Sequence, residues 1–379
     1  MKILTIAATP FFSDRGGHMR ILNEAKYLQK LGAEVRLCVY HIGEDVSGLD
    51  IVRIKGLKWY RKLSPGFYWG KIWLDWKLLF LVRREIKKFQ PDAIHAHLWE
   101  GLAAGYIAKK LAFQRNIPIV FDLQGNLDEE LQNYNRKNSL TRKFFVWLSG
   151  KVIRWADKIV VSSENVKFHR SGLTPTIIWD GIDLDYFQNQ MKLPKEDQKK
   201  IEKINEWKEN SKLLVYIGGL SDNKGVGELL ENFSQNLVLG GNDWKLLLGG
   251  FGSDEEKYKK YIAENKLEDC VYFAGKVNYF SLPRYLALAD AGIDPKNGST
   301  ESSGKIANLM AAGLPVICFE NKFNRSRLGE KGYYLKNFED LGPVLERINA
   351  GKEIKYDIEN LSEEKEVQKL FEIFQLLIK

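Results

Sequence analysis

The stretch from Lys2 to Val39 limits the possible folds more than any other. A β-rich run, Lys2 to Ala8, leads into the loop Thr9 to Gly17, which ends in two adjacent glycines. Ile21, Leu22, Ala25, Leu28 and Leu31 then recur at helical spacing, Gly32 stops the helix, and Val35 to Val39 reads as the next strand. Strand, helix and strand in this order form a βαβ unit. Its crossover is right-handed, so the two strands are parallel, and ligands are expected near their C-terminal ends. Gly16 and Gly17 let backbone come close to a bound group, but their spacing is not the Gly-x-Gly-x-x-Gly of dinucleotide enzymes, which disfavours a dehydrogenase.

The same alternation continues. At 379 residues the chain is long enough for two domains, each with its own core. No apolar run approaches 18 residues, and the first residues read as a buried strand rather than a signal peptide, so the expectation is a cytoplasmic protein. Cys38, Cys270 and Cys318 lie apart among apolar neighbours and fit neither disulfides nor metal-ligand spacing. The net charge of +8 permits an anionic partner without naming one.

In the first half, Asp92 to His97 is a strand ending in two histidines at alternate positions, both on one face. His97, at the strand-to-loop junction, is the candidate for donating to a substrate hydroxyl or moving a proton. Zinc is the rival reading, but no third ligand is nearby in sequence, so no metal site is expected. Ile117 to Gly125 repeats the pattern and presents Asp122 and Gln124 at a strand end. Residues 53 to 88 carry eleven lysines and arginines against two acids, Asp75 and Glu85, with tryptophans interleaved. That composition is expected at an anionic membrane surface, with Trp69, Arg83 and Arg84 among the contacts. Nucleic acid could use the same composition, yet no binding motif accompanies it.

Residues 186 to 212 are charged, lack a core pattern at first, and read as an inter-domain connection. From Leu213 the strand–helix alternation restarts, with Lys224 at the head of one helix. At residues 294 to 318 a small-residue loop runs into a short apolar helix, is stopped by Gly313 and Pro315, and is followed by the strand Val316 to Cys318. Lys305 sits at the head of that helix, where free N–H groups and the helix dipole favour an anion. Two such lysines suit a diphosphate.

In order and spacing, these pieces resemble the retaining nucleotide-sugar glycosyltransferases of family 4, group 1. The resemblance rests on Gly16-Gly17, Asp92 to His97, Asp180 to Asp183 with Phe187, Tyr216 to Leu220 with Lys224-Gly225, Phe273 to Val277, and Glu301 to Lys305 running on to Val316. It implies an α/β protein of the GT-B fold, two Rossmann-like doubly wound domains facing across a cleft. The boundaries expected are 1–185 for the acceptor domain, 186–212 for the connection and 213–355 for the nucleotide-sugar domain. Residues 356–379 are expected to form a C-terminal helix that packs back on the first domain.

The resemblance further implies a nucleoside diphosphate sugar as donor, retained stereochemistry and no required metal or cofactor. Gly16, Gly17 and Lys224 would approach the diphosphate, the backbone near Val277 the base, and His97 the transferred sugar. Ser303, Gly304, Lys305 and Asn308 complete the donor side, and Asp122 and Gln124 would face a glycan or lipid-linked acceptor. The basic, Trp-rich stretch 53 to 88, not the resemblance, carries the expectation of a peripheral position on the inner face of a membrane, with no nucleic-acid partner. Three positions depart from the family pattern. Gly219 stands where an arginine is usual, and Asn308 where the second glutamate of the Glu-x7-Glu motif would hold the ribose. An ungapped alignment puts Thr300 at the first glutamate, whereas a loop one residue shorter would restore Glu301, the favoured candidate. Two alternatives remain: an epimerase or phosphorylase on the same fold, and, from the Gly219 and Asn308 replacements, a degenerate protein that binds nucleotide or a partner without catalysis.

Overall fold

The computed structural model describes residues 1–13, 16–57, 69–124, 139–162, 174–188, 193–234, 243–297, 303–348, 354–359 and 362–378. It divides into two compact units, residues 1–180 with the C-terminal helix Glu363–Ile378, and a second unit beginning at Gly181.

The first unit is built on a seven-stranded sheet. Its strands are β1 (Lys2–Ala7), β2 (Glu34–Val39), β3 (Asp50–Arg53), β4 (Ala93–His97), β5 (Ile119–Leu123), β6 (Lys158–Val161) and β7 (Thr176–Ile177), in the spatial order β3-β2-β1-β4-β5-β6-β7. Every neighbouring pair is parallel. Chain order reverses between β1 and β4, which makes their C-terminal ends the switch point where open α/β sheets hold ligands. β4 and β5 are buried along their whole length, as strands covered on both faces must be.

Helices α1 (Gly16–Lys30), α2 (Trp69–Phe89) and α3 (Leu98–Leu111) follow β1, β3 and β4. Leu74, Leu78, Val82 and Ile86 of α2 share one core layer with Leu102 and Ala108 of α3 and with Leu4, Ile6 and Ile94 of the sheet. α1 lies over the opposite face, where Ala25 and Leu28 meet Val367, Leu370 and Phe374 of the C-terminal helix. Glu366 of that helix accepts from the Trp179 backbone at 3.0 Å, which ties the end of the chain to the edge of the first unit.

The second unit has six parallel strands, β8 (Lys212–Gly219), β9 (Trp244–Phe251), β10 (Val271–Gly275), β11 (Ala291–Asp294), β12 (Val316–Phe319) and β13 (Tyr333–Leu335), in the order β10-β9-β8-β11-β12-β13. Its switch point lies between β8 and β11. In the stretch expected as a connection, the described residues 186–188 and 193–212 are part of this unit. The helix Lys195–Lys208 buries Ile204 against Leu213, Val215 and Tyr285, and Asp197 accepts from the hydroxyls of Ser281 at 2.6 Å and Tyr285 at 2.9 Å. Ile201 and Trp207 pack beside Ile204, but most other positions of the helix are charged, which is why its sequence reads as surface.

Candidate functional site

At the first switch point the side chains form a buried ionic network in which His97 Nε2, Asp122 Oδ1 and both Glu24 oxygens have no hydrogen-bond partner among the described residues. Arg20 and Glu24 are one turn apart on α1, on the face that also buries Ile21 and Ala25. Arg20 Nε stands 2.8 Å from Asp122 Oδ2 and 3.2 Å from Glu24 Oε1, while Nη1 lies 2.9 Å from both Asp180 Oδ1 and the Ile178 carbonyl oxygen. His97 Nδ1 is 3.0 Å from Asp122 Oδ2, and Gln124 Nε2 is 3.1 Å from the same ring nitrogen. The parallel register pairs Ala7 with His97 and His97 with Asp122, so three adjacent strand ends deliver this set.

Burial and charge set the protonation states here. Desolvation acts against the Arg20 charge, but Asp122, Glu24 and Asp180 outweigh it and hold its pKa above the ordinary arginine value. Desolvation alone would raise Asp122, yet the Arg20 guanidinium and the His97 hydrogen bond hold that carboxyl well below the usual range. Glu24 goes the other way, raised well above the carboxylate range by burial. Burial, with His97 beside it, lowers His95 well below the histidine range. Glu24, His95, His97 and Asp122 bring potential metal-ligand atoms within 4.8 Å of one another. The Arg20 guanidinium, 2.8 Å from Asp122, supplies the counter-charge that this carboxylate needs, while Glu24 is held toward its neutral form by burial.

His97 is fully buried, its ring enclosed by Asp122, Glu24 and His95 rather than opening onto solvent. Asp122 is fully buried too, and Gln124 is half-buried between them. Gly16 and Gly17 open α1, and a β-carbon on Gly17 would stand 2.9 Å from Gln124 Oε1, so the glycine lets that amide reach the helix start. The His18 ring, 2.7 Å from the Thr9 hydroxyl and 3.0 Å from that of Ser13, holds the loop before the helix.

The second switch point is built around β8 and β11. Ser303 precedes the helix Gly304–Ala311 but makes no capping bond to it; its hydroxyl donates to Asp294 at the end of β11. The first-turn N–H groups are therefore not taken up by that side chain. Lys305 Nζ is 3.2 Å from Asp294 Oδ1, and its stem lies over β8, where a β-carbon on Gly218 would come 3.0 Å from Lys305 Cδ. Tyr216 completes this corner, donating to the Gly219 carbonyl at 2.7 Å. Lys305 is thus one half of an ion pair, and Asp294, at 4% exposure, is the other.

Lys224 lies in the turn Asp222–Lys224 that follows β8. Asp222 anchors the turn, accepting from Lys257 at 2.7 Å and from the Tyr258 hydroxyl at 2.9 Å. Gly225 then adopts φ 76°, and a β-carbon there would be 2.0 Å from the Pro295 carbonyl oxygen. Since Pro295 follows Asp294, the loops bearing Lys224 and Lys305 meet at one segment. Val277 is buried, its side chain against Gly249 at the end of β9. Asn308 is half-buried one turn beyond Lys305. Glu301 and Thr300 lie outside the described residues.

Sequence reasoning overlooked Arg20, Glu24 and Asp294. The available signal was two opposite charges four residues apart within the apolar stripe of α1, a pattern that a solvated helix face does not produce.

Two family models match this chain, Glycosyltransferase Family 4 over residues 15–186 and Glycosyl transferases group 1 over residues 197–340. Among similar proteins, the sulfoquinovosyl transferase SQD2 of Arabidopsis thaliana is 22% identical over 83% of this chain, and the match spans 58% of the plant protein's length. The uncharacterized glycosyltransferase MJ1069 of Methanocaldococcus jannaschii is 24% identical over 78% of this chain and 71% of its own. The crystal structure of Anabaena HepE in complex with UDP and glucose has the same fold, with a TM-score of 0.69 at 17% identity, covering 100% of this chain and 97% of the other. With one model on each α/β unit and a shared GT-B fold, the chain belongs to the family 4, group 1 glycosyltransferases.

Proposed function

We propose that this protein transfers a sugar from a nucleoside diphosphate sugar to an acceptor hydroxyl with retention of configuration. The observation that carries the reading is the convergence of the Lys224–Gly225 turn and the Ser303–Lys305 helix start on Asp294–Pro295, at the switch point of the second sheet. Backbone N–H groups, a helix dipole and lysine charge together suit a diphosphate, and each charge-assisted contact contributes about 1.5 to 3 kcal/mol. The HepE complex with UDP and glucose supports a nucleotide-sugar donor, and the name of SQD2 supports a glycosyl transfer.

In the proposed reaction the acceptor oxygen bonds to the anomeric carbon on the face from which the diphosphate departs. The bond between that carbon and the β-phosphate oxygen breaks, and the acceptor's proton passes to the departing phosphate. Positive charge at the second switch point stabilises the leaving group as its charge develops. His97 and Asp122 act from below the surface: the buried Arg20–Asp122–His97 network orients the strand ends of the first unit, where the acceptor is received. The acceptor is a glycan or a lipid-linked sugar, and no metal is required.

The test is a screen of UDP, GDP, ADP and their sugar derivatives. One nucleoside diphosphate should raise the melting temperature, and its sugar derivative should be slowly hydrolysed to free sugar in the absence of acceptor. Lack of stabilisation by every diphosphate, together with no sugar release, would refute the reading; a changed sugar nucleotide would mark an epimerase instead.

A further inference from the structure

α2 and α3 lie side by side and run in the same direction. Lys71 near the start of α2 pairs with Glu100 near the start of α3, and Arg83 Nε donates to the Leu111 carbonyl at the far end at 3.1 Å. Both helices bury their inner edges in one core layer, so their outer edges share one side of the first unit. That side is apolar and aromatic. Trp73 is 64% exposed, Trp76 61% and Phe80 48%, with Leu111 at 43% and Phe113, just past α3, at 82%.

The charges on these two helices are sorted by sign. Asp75 accepts from the Tyr40 hydroxyl, buried Glu85 is paired with Arg36 and Arg84, and Glu100 is paired with Lys71. Every acid of α2 and α3 is therefore engaged, while Lys87, Lys88 and Lys110 are exposed. Bulky rings amid unbalanced basic charge are the composition of a face that sits at the headgroup level of an anionic bilayer. Among the described residues no helix is long and apolar enough to cross a membrane, so the contact would lie in the interface plane.

We infer that the outer face of α2 and α3, centred on Trp73, Trp76 and Phe80, docks the protein on an anionic lipid surface. The rings enter the headgroup–acyl boundary and the lysines meet lipid phosphates. Bases could stack on the rings, but aliphatic Ile72 and Leu111 on the same face gain nothing from stacking and do gain from entering an acyl boundary, which favours lipid over single-stranded nucleic acid. The inference bears on an acceptor at the membrane but does not rest on donor chemistry, and its test uses no nucleotide.

The experiment is cosedimentation of the full chain with phosphatidylglycerol–phosphatidylcholine vesicles, beside pure phosphatidylcholine vesicles and a single-stranded RNA oligonucleotide. Wild type should sediment with the anionic vesicles, more weakly at high salt, and far less with neutral ones. Trp73→Ser with Trp76→Ser should lower partitioning at least about tenfold. Lys87→Gln, Lys88→Gln and Lys110→Gln together should lower it by about fivefold for each charge that meets the surface. Leu376→Ser, on the exposed side of the C-terminal helix, should sediment like wild type. Wild type that stays in solution with anionic vesicles, or both the aromatic and the lysine variants sedimenting undiminished, would overturn the inference. So would RNA binding that the tryptophan variant loses while vesicles bind neither protein. Unchanged melting temperatures would separate lost docking from misfolding.

Discussion

Arg20 Nε lies 2.8 Å from Asp122 Oδ2, although the two residues are 102 positions apart and both side chains are closed to solvent. Removing one partner strands the other's charge in a medium that solvates it poorly. Arg20→Met is therefore expected to cost about 3 to 5 kcal/mol of folding stability. Asp122, left with His97 and Gln124 but without the guanidinium charge, would then be pushed toward protonation. Urea denaturation checks this, and a loss below about 1 kcal/mol, the value of a surface pair, would refute the account.

Asp75 gives a pH signature. Burial, reinforced by the Glu100 carboxylate, pushes it up to about 7. In the unfolded chain it titrates near about 3.9, so its folded pKa is the higher one. Its contribution is then full below about pH 4 and is lost as pH rises through the folded value. Asp75→Asn should flatten that part of the stability profile. Denaturant midpoints at about pH 5 and about pH 8 would test it, and an unchanged difference between the two would count against it.

Gly225 and Gly219 should respond in opposite ways. At Gly225 an alanine meets both φ 76° and a backbone oxygen 2.0 Å away, so Gly225→Ala should displace the Lys224 turn, destabilise by about 2 kcal/mol or more and weaken diphosphate binding. A β-carbon on Gly219 meets nothing within 4 Å. Gly219→Arg, restoring the cation usual in the family, should leave stability within about 0.5 kcal/mol and tighten binding several-fold. Melting curves and calorimetry with the diphosphate identified by the screen would distinguish the two outcomes.

Lys305→Ala should weaken diphosphate binding about ten- to a hundredfold by calorimetry, and Lys305→Arg should retain most of it. Lys305→Ala also leaves Asp294 with the Ser303 hydroxyl but without its 3.2 Å ion pair, so a fall in melting temperature should accompany the loss. Affinity unchanged in the alanine variant would confine Lys305 to pairing with Asp294.

The helical and strand periods were legible because they are local: the Lys2–Val39 unit appears as β1, α1 and β2, and five of the six parallel strands of the second half were readable, the edge strand Tyr333–Leu335 being too short to show a period. The helix Lys195–Lys208 was harder to place, since its attachment rests on Ile201, Ile204 and Trp207 among many charges, and on an Asp197 that reads as solvated until Ser281 and Tyr285 are brought to it. His97 stood out in the sequence because it ends a strand, but its burial depends on α1 crossing over it.

By itself the sequence determined two α/β units, glycine-bearing strand ends and lysines at helix starts, because apolar period and turn chemistry act over a few neighbouring residues. The tertiary structure alone decided that Arg20 joins Asp122 and Asp180, that Lys305 leans on Asp294, and that α2 and α3 turn one basic, aromatic face outward. Those choices depend on strand order and on what each side chain meets once water is removed. Pairing across a sheet is a property of the packed chain, and no local pattern encodes it.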